Sequence, residues 1–211
     1  MTQKYFTQLG HAGVGQGVNR TPASAVKYTH DIFSRAADEK LDVYMLCGSL
    51  CAKLRDDLYS KVTGRTFADS LRGVLSKGRN VSIFIWGDPA DCKHSPECDR
   101  LIKEMDAYPR PTWGTLDVRS SGTNEDEEKI THFIIAKSRD DGRWILRVEQ
   151  PHPRMTVEQF ENGEFEVPAA IFFDTAQAKE HGRPLLTVFN DLFDAAGKAD
   201  QKDHNRLTAS V

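Results

Sequence analysis

Long hydrophobic runs are missing from this sequence. No stretch approaches the roughly 18–20 consecutive apolar residues that a membrane-spanning helix requires. The opening "MTQKYFTQLGHAG" has no apolar core of the kind a secretory signal carries. The expectation is a cytoplasmic protein with no membrane partner. An excess of positive charge is missing too: 28 lysines and arginines face 31 aspartates and glutamates, for a formal net charge of −3. No global field draws the chain to nucleic acid, so a surface for phosphate has to be built locally. Cysteine is scarce, with four residues, and in a chain without a signal peptide these are expected as reduced thiols. The glycine cluster "GHAGVGQG" at 10–17 lacks the G-x-G-x-x-G spacing of a dinucleotide loop, so residues 1–20 read as a flexible arm. No internal repeat is visible.

What is present is enough apolar residue, 39 % of 211, for one sizeable core. The pattern places a single domain over 21–197 and, beyond it, a disordered tail at 198–211, where "GKADQKDHNRLTASV" has almost no apolar content. Thr21 followed by Pro22 predicts a helix start, with Val26, Ile32, Phe33 and Ala36 near one face up to about Lys40. "LDVYMLCGSL" at 41–50 reads as a buried strand. In "TFADSLRGVLSKG", Phe67, Leu71, Val74 and Leu75 make a helical stripe that Gly78 closes. "NVSIFIWGDP" at 80–89 is the next strand, and strand, helix, strand is the unit of a parallel sheet.

A helix over 95–107, a short strand over Leu116–Arg119, an acidic loop "SSGTNEDEEK", a polar stretch at 154–166, a strand at 169–175 and a helix near 184–196 complete the order. The fold class expected is α/β, a mixed, mostly parallel sheet flanked by helices.

Between the acidic loop and the polar stretch, "KITHFIIAKSRDDGRWILRVEQPH" reads as two strands joined by a polar turn, carrying His132, Arg147, Glu149 and, just beyond, His152. At a period of two, His132, Ile134 and Ala136 share one face, and Ile145, Arg147 and Glu149 share another. The plainest reading is a same-face ion pair of Arg147 and Glu149 at the sheet surface, with His132 hydrogen-bonded nearby.

This order resembles one lobe of the phospholipase D superfamily. "FSRAADEKLDVYML", "FADSLRGVLSKGRNVSIFIW" and the closing "AAIFFDTAQAKEHGRPLLTVFNDLFDAA" match it by hydrophobic pattern over about residues 22–197. The family motif is H-x-K-x4-D, and in that chemistry a histidine attacks phosphorus while lysines and asparagines hold the charge on the phosphoryl oxygens. Here "HFIIAKSRD" puts His132 at the nucleophile position, Ile134 at the lysine position and Arg139 at the aspartate position, with Asp140 one residue late. The motif is degenerate.

The resemblance implies a phosphodiester- or nucleotide-ligand-binding domain, its site made by His132, Arg147, Glu149 and His152. Arginine suits phosphate because its planar fork donates two hydrogen bonds. Two alternatives stand beside it. One is a divergent phosphodiesterase or nuclease in which His132 is the catalytic nucleophile, Arg147 replaces the lysine and Glu149 orients the imidazole. The other is a homodimeric scaffold or regulatory module, since single lobes of this family generally pair.

No cofactor is expected. Cys47 and Cys51 follow the first strand, and "CKHSPEC" places Cys92, His94 and Cys98 after the next, five thiolate and imidazole groups where zinc needs four. The spacing is not the C-x-x-C of a zinc ribbon, so the cysteines are expected as structural or incidental and no metal site is assigned.

Overall fold

The structure is a computed structural model that describes residues 22–47, 53–85, 96–107, 110–121, 132–149, 162, 169–173 and 175–208. The elements are α1 (Pro22–Asp38), β1 (Asp42–Cys47), α2 (Lys53–Thr63), α3 (Phe67–Leu75), β2 (Val81–Ile85), α4 (Pro96–Ala107) and β3 (Leu116–Ser120). The hairpin strands β4 (Phe133–Lys137) and β5 (Trp144–Glu149), then β6 (Ala169–Phe172) and α5 (Thr175–Thr208), complete the chain. Thr21, the glycine cluster at 10–17, most of the acidic loop, His152, Cys51, Cys92 and His94 lie outside the described residues.

Each early element follows from its local sequence. Pro22 opens α1, where its missing N–H costs nothing and its fixed φ is already helical. Val26, Phe33 and Ala36 then bury one stripe. Thr66 and Asp69 form a capping box on α3: Thr66 Oγ1 accepts from the Asp69 N–H at 3.1 Å, and Asp69 Oδ2 accepts from the Thr66 N–H at 3.0 Å. At the other end Gly78 adopts φ +70°, the left-handed conformation that glycine tolerates, and turns the chain toward β2.

The six strands form one sheet in the order β3-β2-β1-β4-β5-β6. β1 pairs with β2, and β2 with β3, in parallel. The pairs β1–β4, β4–β5 and β5–β6 are antiparallel. The sheet is therefore mixed, but the expectation that it is mostly parallel is corrected. A strand-helix-strand unit dictates parallel pairing only within itself, and here a hairpin adds to the open side of β1 and brings two reversals with it.

The two faces carry separate cores. Val43, Met45, Cys47, Val81, Ile83, Ile85, Ile134, Ala136 and Ile145 pack with α1, α2, α3 and α4 through Phe33, Tyr59, Leu71 and Leu101. The alternate residues Leu46, Phe84, Phe133, Ile135, Trp144, Leu146 and Val148 pack with Ala178 and Phe189 of α5. A period of two thus sends each strand's apolar residues to both layers.

α5 begins at Thr175, nine residues before the helix expected near 184–196, and its bounds run on to Thr208, through residues read from composition as a tail. Gly182 and Pro184 interrupt the local pattern. A proline inside a helix loses one backbone hydrogen bond and costs about 3 kcal/mol. Against that, Leu185, Leu186, Phe189, Leu192 and Phe193 all pack on the sheet. Gly182 is there because the helix crosses Trp144 closely: a Cβ at that position would stand 3.1 Å from the indole.

Candidate functional site: an arginine, a glutamate and a histidine at the carboxyl edge

The carboxyl ends of β1, β2 and β3 lie side by side, since Cys47 pairs with Ile85 and Ile85 with Ser120. Leu46 faces Phe133, and Phe133 faces Val148, so the start of β4 and the end of β5 come to the same edge. Open α/β sheets bind ligands outside this edge. One residue beyond the Phe133–Val148 pair, His132 lies directly across from Glu149, whose backbone N–H donates to the His132 carbonyl at 2.7 Å. Continuing the β1–β4 register by one residue sets Cys47 on the other flank of His132. A cysteine, a histidine and a glutamate therefore occupy one row across three strands.

Arg147 stands one row deeper on the same face. It is the direct cross-strand neighbour of Ile134 on one side and Ile171 on the other. Its guanidinium Nη2 donates to Glu149 Oε1, and Glu149 Oε2 lies 3.4 Å from His132 Nδ1. One carboxylate therefore serves both neighbours, an oxygen to each. The arginine and glutamate are only 4 % and 6 % exposed, whereas the histidine side chain is 16 % exposed.

The ion pair that the face-sharing pattern suggests is thus formed, but within the protein and not at a sheet surface. Two charges taken out of water need close geometry and mutual hydrogen bonding to persist, and the shared carboxylate supplies both. It also favours a proton on Nδ1 of His132, which leaves the lone pair of a neutral imidazole on Nε2. Such an imidazole is equipped to accept a proton, attack an electrophile or, once protonated, bind an anion.

The other residues that the motif alignment singles out go elsewhere. Ile134 is 1 % exposed and packs in the core under the helices. Arg139 lies at the opposite edge in the β4–β5 turn, where its Nε donates to Asp42 Oδ2 at 2.9 Å and its Nη2 to the Gly78 carbonyl at 3.2 Å. Asp140 caps the same turn by accepting from the Gly142 N–H at 3.1 Å. Cys47 is buried within β1, and Cys98 falls in α4. Among the described residues, no group of three histidine, cysteine, aspartate or glutamate side chains is placed to hold a metal ion. Nor is any described helix long and apolar enough to cross a membrane.

No protein-family model, curated protein or solved structure matches the chain.

A second polar cluster has no counterpart in the motif reading. Tyr59 Oη sits 2.8 Å from Ser70 Oγ and 3.3 Å from His30 Nδ1, and Ser34 Oγ lies 3.4 Å from His30 Nε2. The residues come from α2, α3 and α1, so the network ties three helices together inside the helical layer. Only the i, i+4 spacing of His30 and Ser34 was visible locally. The contacts of Tyr59 and Ser70 are long-range.

Proposed function

We propose that this domain binds a phosphodiester- or nucleotide-like ligand at the carboxyl edge of its sheet, with His132 as the ligand-facing group above the Arg147–Glu149 pair. One observation carries the reading: the β4–β5 register sets Arg147 directly across from Ile134, the position where the resembled motif has its lysine. A cation is thus retained beside the histidine, though it comes from the neighbouring strand. With Arg147 neutralised by Glu149, the charge that would meet a phosphate is that of a protonated His132, while the arginine holds the carboxylate behind it.

The approach of Glu149 Oε2 to His132 Nδ1 favours a second reading, a divergent phosphodiesterase or nuclease. A carboxylate behind an imidazole is the arrangement that orients a nucleophile or general base. Against it stands Ile134, which offers no charge to developing phosphoryl oxygens; loss of such a donor generally costs about 100- to 1,000-fold in rate.

The experiment incubates purified protein and its His132→Ala variant with fluorescent single- and double-stranded oligonucleotides and with bis-p-nitrophenyl phosphate. The expected result is oligonucleotide binding weakened about tenfold or more in the variant, the scale of a lost charge-assisted contact, with no turnover in either protein. Turnover that vanishes in the variant selects the enzyme reading. Binding that is absent from the wild type contradicts the proposal.

A further inference from the structure

Building on the ligand-site reading above, we infer that Arg147 is a positioning residue, acting on His132 through Glu149. Its place in the sheet argues this. Arg147 is 4 % exposed and lies one row deeper than His132, between the cross-strand residues Ile134 and Ile171, both almost fully buried. Of the arginine and the histidine, His132, with 16 % of its side chain exposed, is the outer. The guanidinium already donates to Glu149 Oε1, the oxygen turned away from His132.

The consequence lies in the carboxylate. Glu149 is 6 % exposed, and a carboxylate so placed is stable as an anion only with a paired cation. Arg147 is that cation. Its planar fork also fixes the plane of the carboxylate, because a guanidinium donor and its acceptor prefer to be coplanar. With Oε1 fixed by the arginine, Oε2 is fixed beside Nδ1, and an ionised carboxylate there accepts only a hydrogen. The imidazole is therefore held in its Nδ1–H tautomer, with the lone pair on Nε2, an atom that is itself buried from solvent. Within the sheet, the charged or titratable side chains flanking His132 on this face are Glu149 and Arg147 of β5 and Cys47 of β1.

The test reads the tautomer directly, in the full chain and without ligand. Long-range proton–nitrogen spectra of ¹⁵N-histidine-labelled protein, recorded with the imidazole neutral, report which ring nitrogen of His132 carries hydrogen. Wild type is expected in the Nδ1–H form. Glu149→Gln removes the anionic acceptor, and Arg147→Met removes the group that fixes it. Each is expected to raise the Nε2–H share about threefold or more. Arg147→Lys keeps the paired cation and is expected to keep the wild-type tautomer.

An Arg147→Met protein with the wild-type tautomer overturns the inference, since it means Arg147 serves packing only. If Arg147→Met fails to fold, Arg147→Gln retains a hydrogen-bond donor while losing the charge, and an unchanged tautomer there is equally decisive. An oligonucleotide-binding failure leaves this result standing, and a tautomer failure leaves ligand binding by His132 intact, so the two outcomes are separable.

Discussion

The two edges of the sheet use the same residue types differently. At the amino edge the arginines themselves reach water: Arg139, 55 % exposed, pairs with the buried Asp42, while Arg143 pairs with Glu39 at 2.6 Å and Arg183 with Asp141 at 2.9 Å. Each of these pairs pins the β4–β5 turn to another element. Arg143 also donates to the Phe173 carbonyl at 2.7 Å, and Trp144 Nε1 to Asp141 Oδ1 at 2.6 Å. At the carboxyl edge, Arg147 and Glu149 are buried, pair with each other, and border a histidine. Surface pairs of the first kind each contribute little, while a buried pair is costly to break and of little net benefit to stability. A fold that needs only stability places apolar residues at such positions. The carboxyl-edge cluster is the one on which the proposed ligand site rests.

That contrast can be broken in several places. The largest effect is expected at Glu149→Ala, which removes the carboxylate paired with the buried Arg147 and is expected to cost about 3–5 kcal/mol in urea unfolding. Replacing both with apolar residues, as in Arg147→Met with Glu149→Leu, is expected to recover most of that loss, and failure to recover would mean the pair is structural after all. Next is Gly182→Ala, whose Cβ would stand 3.1 Å from the Trp144 ring; crowding of about 1–3 kcal/mol, offset by about 1 kcal/mol of gained helix propensity, is expected to leave a net cost of about 1–2 kcal/mol.

Smaller is Arg139→Ala at the amino edge. Its side chain is 55 % exposed, but the Asp42 carboxylate it pairs with is buried and also accepts from the Asn80 N–H, so the loss is expected at about 1 kcal/mol, read as a small fall in the urea midpoint. A loss at Arg139 equal to that at Glu149 would erase the distinction between the edges.

The mildest effect is expected from acid. Hydrogen bonds from Lys179 and Arg183, helped by Trp144, hold the Asp141 carboxyl well below the usual carboxylate range. A folded-state value below the unfolded one contributes stability that is complete above the unfolded carboxylate range and is lost as pH falls toward the folded value. Thermal melts between pH 5 and pH 2 are therefore expected to fall less steeply in Asp141→Asn than in wild type.

How much of this was legible in the sequence differs by element. Strands are marked by apolar runs, and the period of two puts Arg147 and Glu149 on one face from spacing alone. Burial was not legible, because periodicity names a face without saying what covers it. Nor was the antiparallel half of the sheet: nothing local to "HFIIAK" says that it pairs with β1. The early start of α5 was hidden by Gly182 and Pro184, whose local cost is outweighed by packing that only the assembled sheet provides. At the site, the bridging role of Glu149 depends on a register between strands, which spacing along one strand does not contain.

The central claim is that His132 meets the ligand and Glu149 acts through it. A double-mutant cycle of His132→Ala and Glu149→Gln, read as the affinity for a fluorescent single-stranded oligonucleotide, tests this most directly. The account predicts that each change alone weakens binding and that Glu149→Gln has no further effect once His132 is gone. Additive losses, or full affinity in His132→Ala, would contradict it.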